Sequence, residues 1–185
     1  KALDPTRPAI GNDGWEFLSN DIWGIHDYTP TRETLRERYG TPEALARILA
    51  GTVPPPQNHI IALPGVAHAG QPVLITEFGG IGFAPAAGES WFGYDTVGNT
   101  DEYLARYADF VAAILSCPTV IGFCYTQFTD TAQETNGLLT DTRQHKLDPA
   151  KIRAINTAPS KAIPREVVSS AQKRVAQQTG KRVGG

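Results

Sequence analysis

The sequence contains no methionine, only two cysteines, and a near balance of charge. It also lacks any apolar run approaching the roughly 18 residues that a membrane-spanning helix needs, so no membrane span is expected. No basic-then-apolar leader opens the chain. With no methionine at its start, the chain is expected to begin inside a longer reading frame or to be a processed or cut product. Seventeen Lys+Arg against nineteen Asp+Glu give a net charge of −2. Such a chain has no basic footprint for DNA or RNA and no polybasic membrane-surface character. If Cys117 and Cys124 bracket an extended run, their α-carbons stand roughly 23 Å apart. A disulfide needs about 7 Å or less. Both are read as reduced, and without His or Cys companions they make no zinc site. Also missing are a phosphate-binding glycine motif, a G-x-S-x-G elbow and an H-E-x-x-H pair. No cofactor and no metal are expected.

What is present is enough apolar material for a core: 41% hydrophobic and 9% aromatic residues over 185 positions. That length suits one domain with a possible appendage. Four short apolar runs read as strands: Pro8 to Asn12, Asp21 to Tyr28, Pro72 to Phe78 and Thr119 to Thr126. Their continuous apolar character suits a parallel sheet buried on both faces. Helix signals lie between the later strands. Thr41-Pro42-Glu43 opens one that stops near Gly51, and Thr100-Asp101-Glu102 opens another that runs to about Ser116. Asp148-Pro149 caps a third. Strand and helix alternation means repeated βα units. The stretch from Asp13 to Asn20 is short for a parallel crossover and has room for one helical turn around Trp15 to Leu18. Residues 1–157 form the main unit. From Ala158 to Gly185 the spacing of Ile163, Val167, Val168, Ala171 and Val175 predicts a helical or flexible tail.

The chemistry-bearing residues cluster at the predicted strand ends. Pro72 to Gly80 reads P-V-L-I-T-E-F-G-G, and simple alternation puts Val73, Ile75 and Glu77 on one face. A carboxylate at the end of a buried strand is costly unless it is paired or working. At the end of the preceding strand, His26 and Tyr28 share a face and can hydrogen-bond a carboxylate or sugar hydroxyls. Asp27 points the other way and is expected to cap the following loop or helix. Asn12 and Asp13 follow the first predicted strand, where Asn-Asp-Gly is equally an ordinary turn. Phe123, Tyr125 and Gln127 alternate onto one face of the last strand and suggest a stacking floor with a hydroxyl-binding rim. The Asn136-Gly137 pair predicts a tight hairpin turn. Trp91 sits in a Gly-rich loop and could stack on a sugar or cover the mouth. His59 and His68 read as isolated and solvated. Polar side chains around one acidic residue suit polyhydroxylated substrates better than nucleotides.

Four segments carry a resemblance, in this order: L-D-P-T-R-P-A-I-G-N-D-G-W-E, D-I-W-G-I-H-D-Y, P-V-L-I-T-E-F-G-G and G-F-C-Y-T-Q-F-T-D. Together they make residues 3 to 155 resemble the C-terminal half of the catalytic barrel of glycoside hydrolase family 2, the family of β-galactosidases, β-glucuronidases and β-mannosidases. The resemblance implies an α/β fold, strands five to eight of a (β/α)8 TIM barrel, followed by the tail. It implies a retaining glycoside hydrolase in which Glu77 is the nucleophile. Tyr28 would contact that nucleophile, and Tyr125 would be the aromatic residue at the end of strand eight. Asn12, Asp13, His26, Trp91 and Gln127 would complete the carbohydrate-binding set. The family's general acid/base, a Glu after an Asn on strand four, has no match here. A whole barrel takes about 250 residues. Asp13, Glu16, Asp130 and Glu134 lie near strand ends without matching that acid. The isolated chain is therefore expected to be weakly active or inactive, and to self-associate or dock to a missing N-terminal half. A non-catalytic half-barrel that binds carbohydrate or serves as a structural part is the alternative from another class.

Overall fold

The computed structural model describes residues 2–11, 14–18, 20–83, 95–163, 167, 170 and 174. Asn12, Asp13 and Trp91, together with Val168, Ala171 and Val175 of the tail, lie outside the described residues. The chain is mixed α/β around a small parallel sheet.

Three strands form that sheet in the order β1-β2-β5: β1 (Trp23–Asp27), β2 (Val73–Gly79) and β5 (Gly122–Thr126), all parallel. The first crossover carries α1 (Arg32–Tyr39) and α2 (Pro42–Leu49), and the second carries α3 (Thr100–Leu115). A two-residue ladder, β3 (Ile81–Gly82) with β4 (Asp95–Thr96), lies beyond β2. The last helix, α4 (Pro149–Asn156), packs on α3.

The helix starts follow from short polar side chains. Thr41 Oγ1 accepts from the Ala44 N–H at 3.1 Å, with Pro42 at the first helical position. Asn99, one residue before the predicted start, accepts from the Glu102 N–H at 2.9 Å. Asp148 accepts from the Ala150 N–H at 2.8 Å. Each such cap contributes about 1 kcal/mol. Helix α1 is the element that periodicity does not reveal. It reads RETLRERY and buries only Leu35 and Tyr39, a pair one turn apart on an otherwise charged surface.

The core lies between the sheet and the helices. Trp23 and Ile25 of β1, Val73, Ile75 and Phe78 of β2, and Tyr103, Tyr107, Phe110 and Ile114 of α3 are all essentially closed to solvent. Among the described residues, no helix is long and apolar enough to cross a membrane.

Four expectations change. Residues 8–11 form no strand; Ile10 is exposed, and the run is tied where the Asp21 N–H donates to Ala9 O and the Ala9 N–H to Asp21 Oδ2. An apolar run becomes a strand only beside a partner, and among the described residues no strand pairs with this one. Residues 14–18 form no helical turn either. They run beside residues 60–63, with the Glu16 and Phe17 N–H groups donating to Ile60 and Ile61 carbonyls and the Leu63 N–H to Phe17 O. Asn136-Gly137 is not a hairpin turn: Asn136 is buried, and the Gly137 N–H donates to Asp130 at 2.8 Å. The reversals fall on either side, at Thr131–Glu134 and between Leu139 and His145.

The fourth concerns β2. Ile25 pairs with Ile75, but the next residue, His26, pairs with Glu77. On the other side Ile75 pairs with Phe123, while Phe78 pairs with Tyr125. One extra residue is therefore inserted at Thr76, a bulge that reverses the alternation beyond it. Val73, Ile75 and Phe78 share the helix-facing side, and Glu77 moves to the opposite face.

Candidate active site

The bulge decides what Glu77 meets. Its carboxylate comes level with His26 on the open face of the sheet, with the side chain 35% exposed. The Tyr28 hydroxyl donates a hydrogen bond to Glu77 Oε2. His26 Nδ1 lies 3.3 Å from the same oxygen. Both partners are almost fully buried. One carboxylate oxygen is held, and the other, Oε1, takes no hydrogen bond from the described residues.

His26 is itself held. A β-carbon at residue 14 would stand 2.3 Å from its ring, and φ at Gly14 is +89°, so a side chain there meets both a clash and a backbone that L-residues rarely adopt. Trp15 approaches His26 edge-on, with ring centroids 4.7 Å apart. Trp15 also stacks on His59, at 4.3 Å and 20°. Sequence reasoning treats His59 as isolated and Trp15 as part of a helical turn. No motif links them, and only the ladder between residues 16–17 and 60–63 brings them together.

Glu16, next to Trp15, has φ of +59° and an exposed side chain. A left-handed conformation costs an ordinary residue about 1 kcal/mol that glycine does not incur. Glu16→Gly is expected to leave stability unchanged or raise it by up to about 1 kcal/mol, despite the flexibility glycine adds to the unfolded chain. Urea unfolding of both proteins checks this; a loss of more than about 1 kcal/mol would mean that Glu16 makes a contact worth more than its strain.

On the opposite face of β1, Asp27 behaves as a structural anchor. Its carboxylate accepts from Arg38 Nη1 at 2.9 and 2.8 Å, from the Tyr39 hydroxyl at 2.7 Å and from the Thr29 N–H at 2.9 Å. Arg38 also donates to Thr29 Oγ1. The ring of Tyr39 is buried, and burial together with the Asp27 charge pushes its hydroxyl pKa well above the usual tyrosine range.

Tyr125 does not join the Glu77 face. It packs against Phe78 at 5.5 Å and Tyr107 at 5.0 Å on the helix side of the sheet. Its hydroxyl meets that of Tyr103 at 2.9 Å and donates to Asn136 O at 3.0 Å. A β-carbon on Gly79 would lie 2.2 Å from its ring. Phe123 and Tyr125 both pack against Phe78, so they share a face as expected, but it is the helix side of the sheet and not the Glu77 face that a stacking floor would need. Burial raises the hydroxyl pKa of both Tyr103 and Tyr125.

The chain leaves β5 through a cis Thr126–Gln127 peptide. Gln127 Nε2 then donates to Asn136 Oδ1 at 2.7 Å and to Glu134 Oε2 at 3.2 Å. Asp130 is committed to Lys146 at 2.7 Å in a partly buried pair. His68 is not solvated: its Nε2 meets Gln71 O at 2.8 Å, and its ring meets Trp23 at the far end of β1.

Solved structures of glycoside hydrolases resemble this fold. It is similar to an exo-β-agarase, with a TM-score of 0.45 and 16% identity over 74% of this chain and 15% of that one. It is also similar to the β-glucuronidase of Bifidobacterium dentium in complex with coumarin-3-O-glucuronide, with a TM-score of 0.43 and 20% identity over 77% of this chain and 21% of that one. Both are glycoside hydrolases, and the chain spans about a fifth of their length or less. No family model matches the sequence, and no curated protein matches it.

Proposed function

We propose that this chain is the nucleophile-bearing part of a retaining β-glycoside hydrolase of the family 2 type, with Glu77 as the nucleophile. The observation that carries the reading is the division of labour on Glu77: Tyr28 and His26 both address Oε2, and Oε1 is open. It agrees with the I-T-E-F-G-G segment in which the resemblance places the nucleophile. In this reading β1, β2 and β5 are strands six to eight of a (β/α)8 barrel, and Glu77 stands at the C-terminal end of strand seven, where such barrels place their active sites.

Oε1 attacks the anomeric carbon, the glycosidic bond breaks, and a covalent glycosyl-enzyme forms. A second carboxylate, about 5–5.5 Å away, protonates the departing oxygen and later removes a proton from the water that releases the sugar. No described residue is assigned that second role. Asp130 is committed to Lys146, and Glu134 is held by Gln127. The acid/base is proposed to come from the other half of the barrel, whose docking would also cover the open sheet face. General acid catalysis typically supplies 10²–10⁴-fold. The chain alone is correspondingly slow on ordinary glycosides. Asn12, Asp13, Trp91 and Gln127 are proposed to contact the sugar.

The test uses fluorinated glycosides with very good leaving groups, which need little acid assistance. Galactosyl, glucuronyl and mannosyl versions are incubated with the chain, followed by intact mass and peptide mapping. One of them is expected to leave a single adduct on Glu77, and Glu77→Gln is expected to take none. A folded chain that accepts no label, or one labelled elsewhere, would overturn the assignment.

A further inference from the structure

His26 lies at the centre of an arrangement that sugar binding alone does not require. One edge of its ring faces the nucleophile candidate, and its remaining surroundings fix where the ring points. We propose that His26 is a positioning residue for Glu77. Its Nδ1–H holds Oε2 in place, and Gly14, Trp15 and His59 form a brace that keeps Nδ1 directed at that oxygen.

Three observations meet here. Nδ1 stands 3.3 Å from Oε2, long for an N–H donor but within reach of one that tightens when a ligand binds. The His26 ring occupies the space that a β-carbon at residue 14 would need, so the ring packs directly on the Gly14 backbone. Trp15 meets His26 edge-on at 4.7 Å and is backed by the stacked ring of His59 at 4.3 Å. The segment bearing Gly14 and Trp15 is clamped through backbone hydrogen bonds to residues 60, 61 and 63. The brace therefore belongs to the fold.

Two donors on one oxygen do what one cannot. The Tyr28 hydroxyl by itself leaves the carboxylate able to swing about its bond to the chain. A second donor from a different direction fixes the plane of the carboxylate and hence the direction of Oε1. The arrangement also requires one tautomer. A neutral His26 carrying its proton on Nε2 would turn a lone pair toward Oε2, so the proton must sit on Nδ1.

The effect on rate rests on the reading of Glu77 as nucleophile; the tautomer and the brace do not, and the experiment separates the two. The full chain is labelled with ¹⁵N, and the imidazole signals are assigned with His26→Gln. Neutral His26 is expected as the Nδ1–H tautomer, with a downfield proton that Glu77→Ala moves upfield and exposes to solvent exchange at least about tenfold faster. Trp15→Phe is expected to keep that signature, and Trp15→Ala to give a mixture of tautomers. In the trapping reaction, His26→Ala should slow labelling about 10–100-fold, as expected for a hydrogen bond to a charged group. His26→Gln, which keeps a donor, should recover most of that rate. An Nε2–H tautomer, or a proton signal unmoved by Glu77→Ala, overturns the proposal even where Glu77 is labelled. The expected signature in a chain that takes no label upholds the brace and counts against the glycosidase reading alone.

Discussion

Asp27→Ala is expected to lower the unfolding free energy by about 3–5 kcal/mol, the cost of removing one partner from a buried charge pair. The carboxylate is closed to solvent, and Arg38, the Tyr39 hydroxyl and the Thr29 N–H all converge on it. Truncation leaves the Tyr39 hydroxyl buried without its acceptor, which by itself costs about 1–3 kcal/mol. It also strands a guanidinium whose side chain is 20% exposed, so solvent offsets part of the charge penalty and favours the lower end of the range. For a chain of this size the thermal midpoint should fall by roughly 10 °C. Asp27→Asn keeps an acceptor for the Thr29 N–H and should cost less. The loss reaches the site as well, because Asp27 lies between His26 and Tyr28 on the same strand end. Calorimetry or urea unfolding of both variants decides the matter. An Asp27→Ala protein within 1 kcal/mol of the parent would remove the anchor role.

The second large effect is alkaline unfolding. Tyr39, Tyr103 and Tyr125 are buried, and burial is the main cause that raises all three hydroxyls above the ordinary tyrosine range. In the unfolded chain each ionises near pH 10. Above that value the unfolded state binds fewer protons than the folded one, so stability falls as pH rises. The contribution is fully present below about pH 10 and is lost on the way to the raised folded values. Each tyrosine contributes a slope of up to about 1.4 kcal/mol per pH unit, and three together about 4 kcal/mol. A domain stabilised by about 5–15 kcal/mol has little margin against that slope. Urea midpoints should hold steady to about pH 9.5 and then fall steeply. Tyr103→Phe should lower stability at neutral pH, because its hydroxyl donates to Asn136 O and Gly137 O, and should flatten the alkaline slope by about a third. Midpoints that stay level to about pH 11, with tyrosinate absorbance appearing in the folded protein near pH 10, would contradict this account.

Local signals carried the elements whose cause is local. The caps at Thr41 and Asp148, and the apolar spacing along α3, are properties of neighbouring residues, and they stand where the sequence puts them. The same holds for the runs that became β1, β2 and β5, and for Asp27, whose role as an anchor for the following loop and helix follows from its position opposite His26 and Tyr28. Pro8 to Asn12 has the same apolar character, yet its described residues form no strand, because pairing requires a neighbour that composition does not reveal.

The site divides in the same way. Glu77, His26 and Tyr28 were legible as acidic and hydroxyl-reading residues at strand ends. The resemblance implied the contact of Tyr28 with Glu77, but no signal in the sequence pointed to the approach of His26, because it depends on one extra residue at Thr76 that turns Glu77 toward His26 and leaves Phe78 in the core. That shift comes from matching two strands, and a single strand read alone predicts the wrong face. The same register aligns Tyr125 with Phe78 and takes it into the core. Trp15 and His59 reach His26 only because the loop after Gly14 runs beside residues 60–63. Propensity, caps and apolar runs are written in contiguous residues, so the sequence by itself determined the kinds of element and most of their positions. Register, bulges and loop-to-loop contacts depend on residues distant in the chain, and those the tertiary structure alone decided.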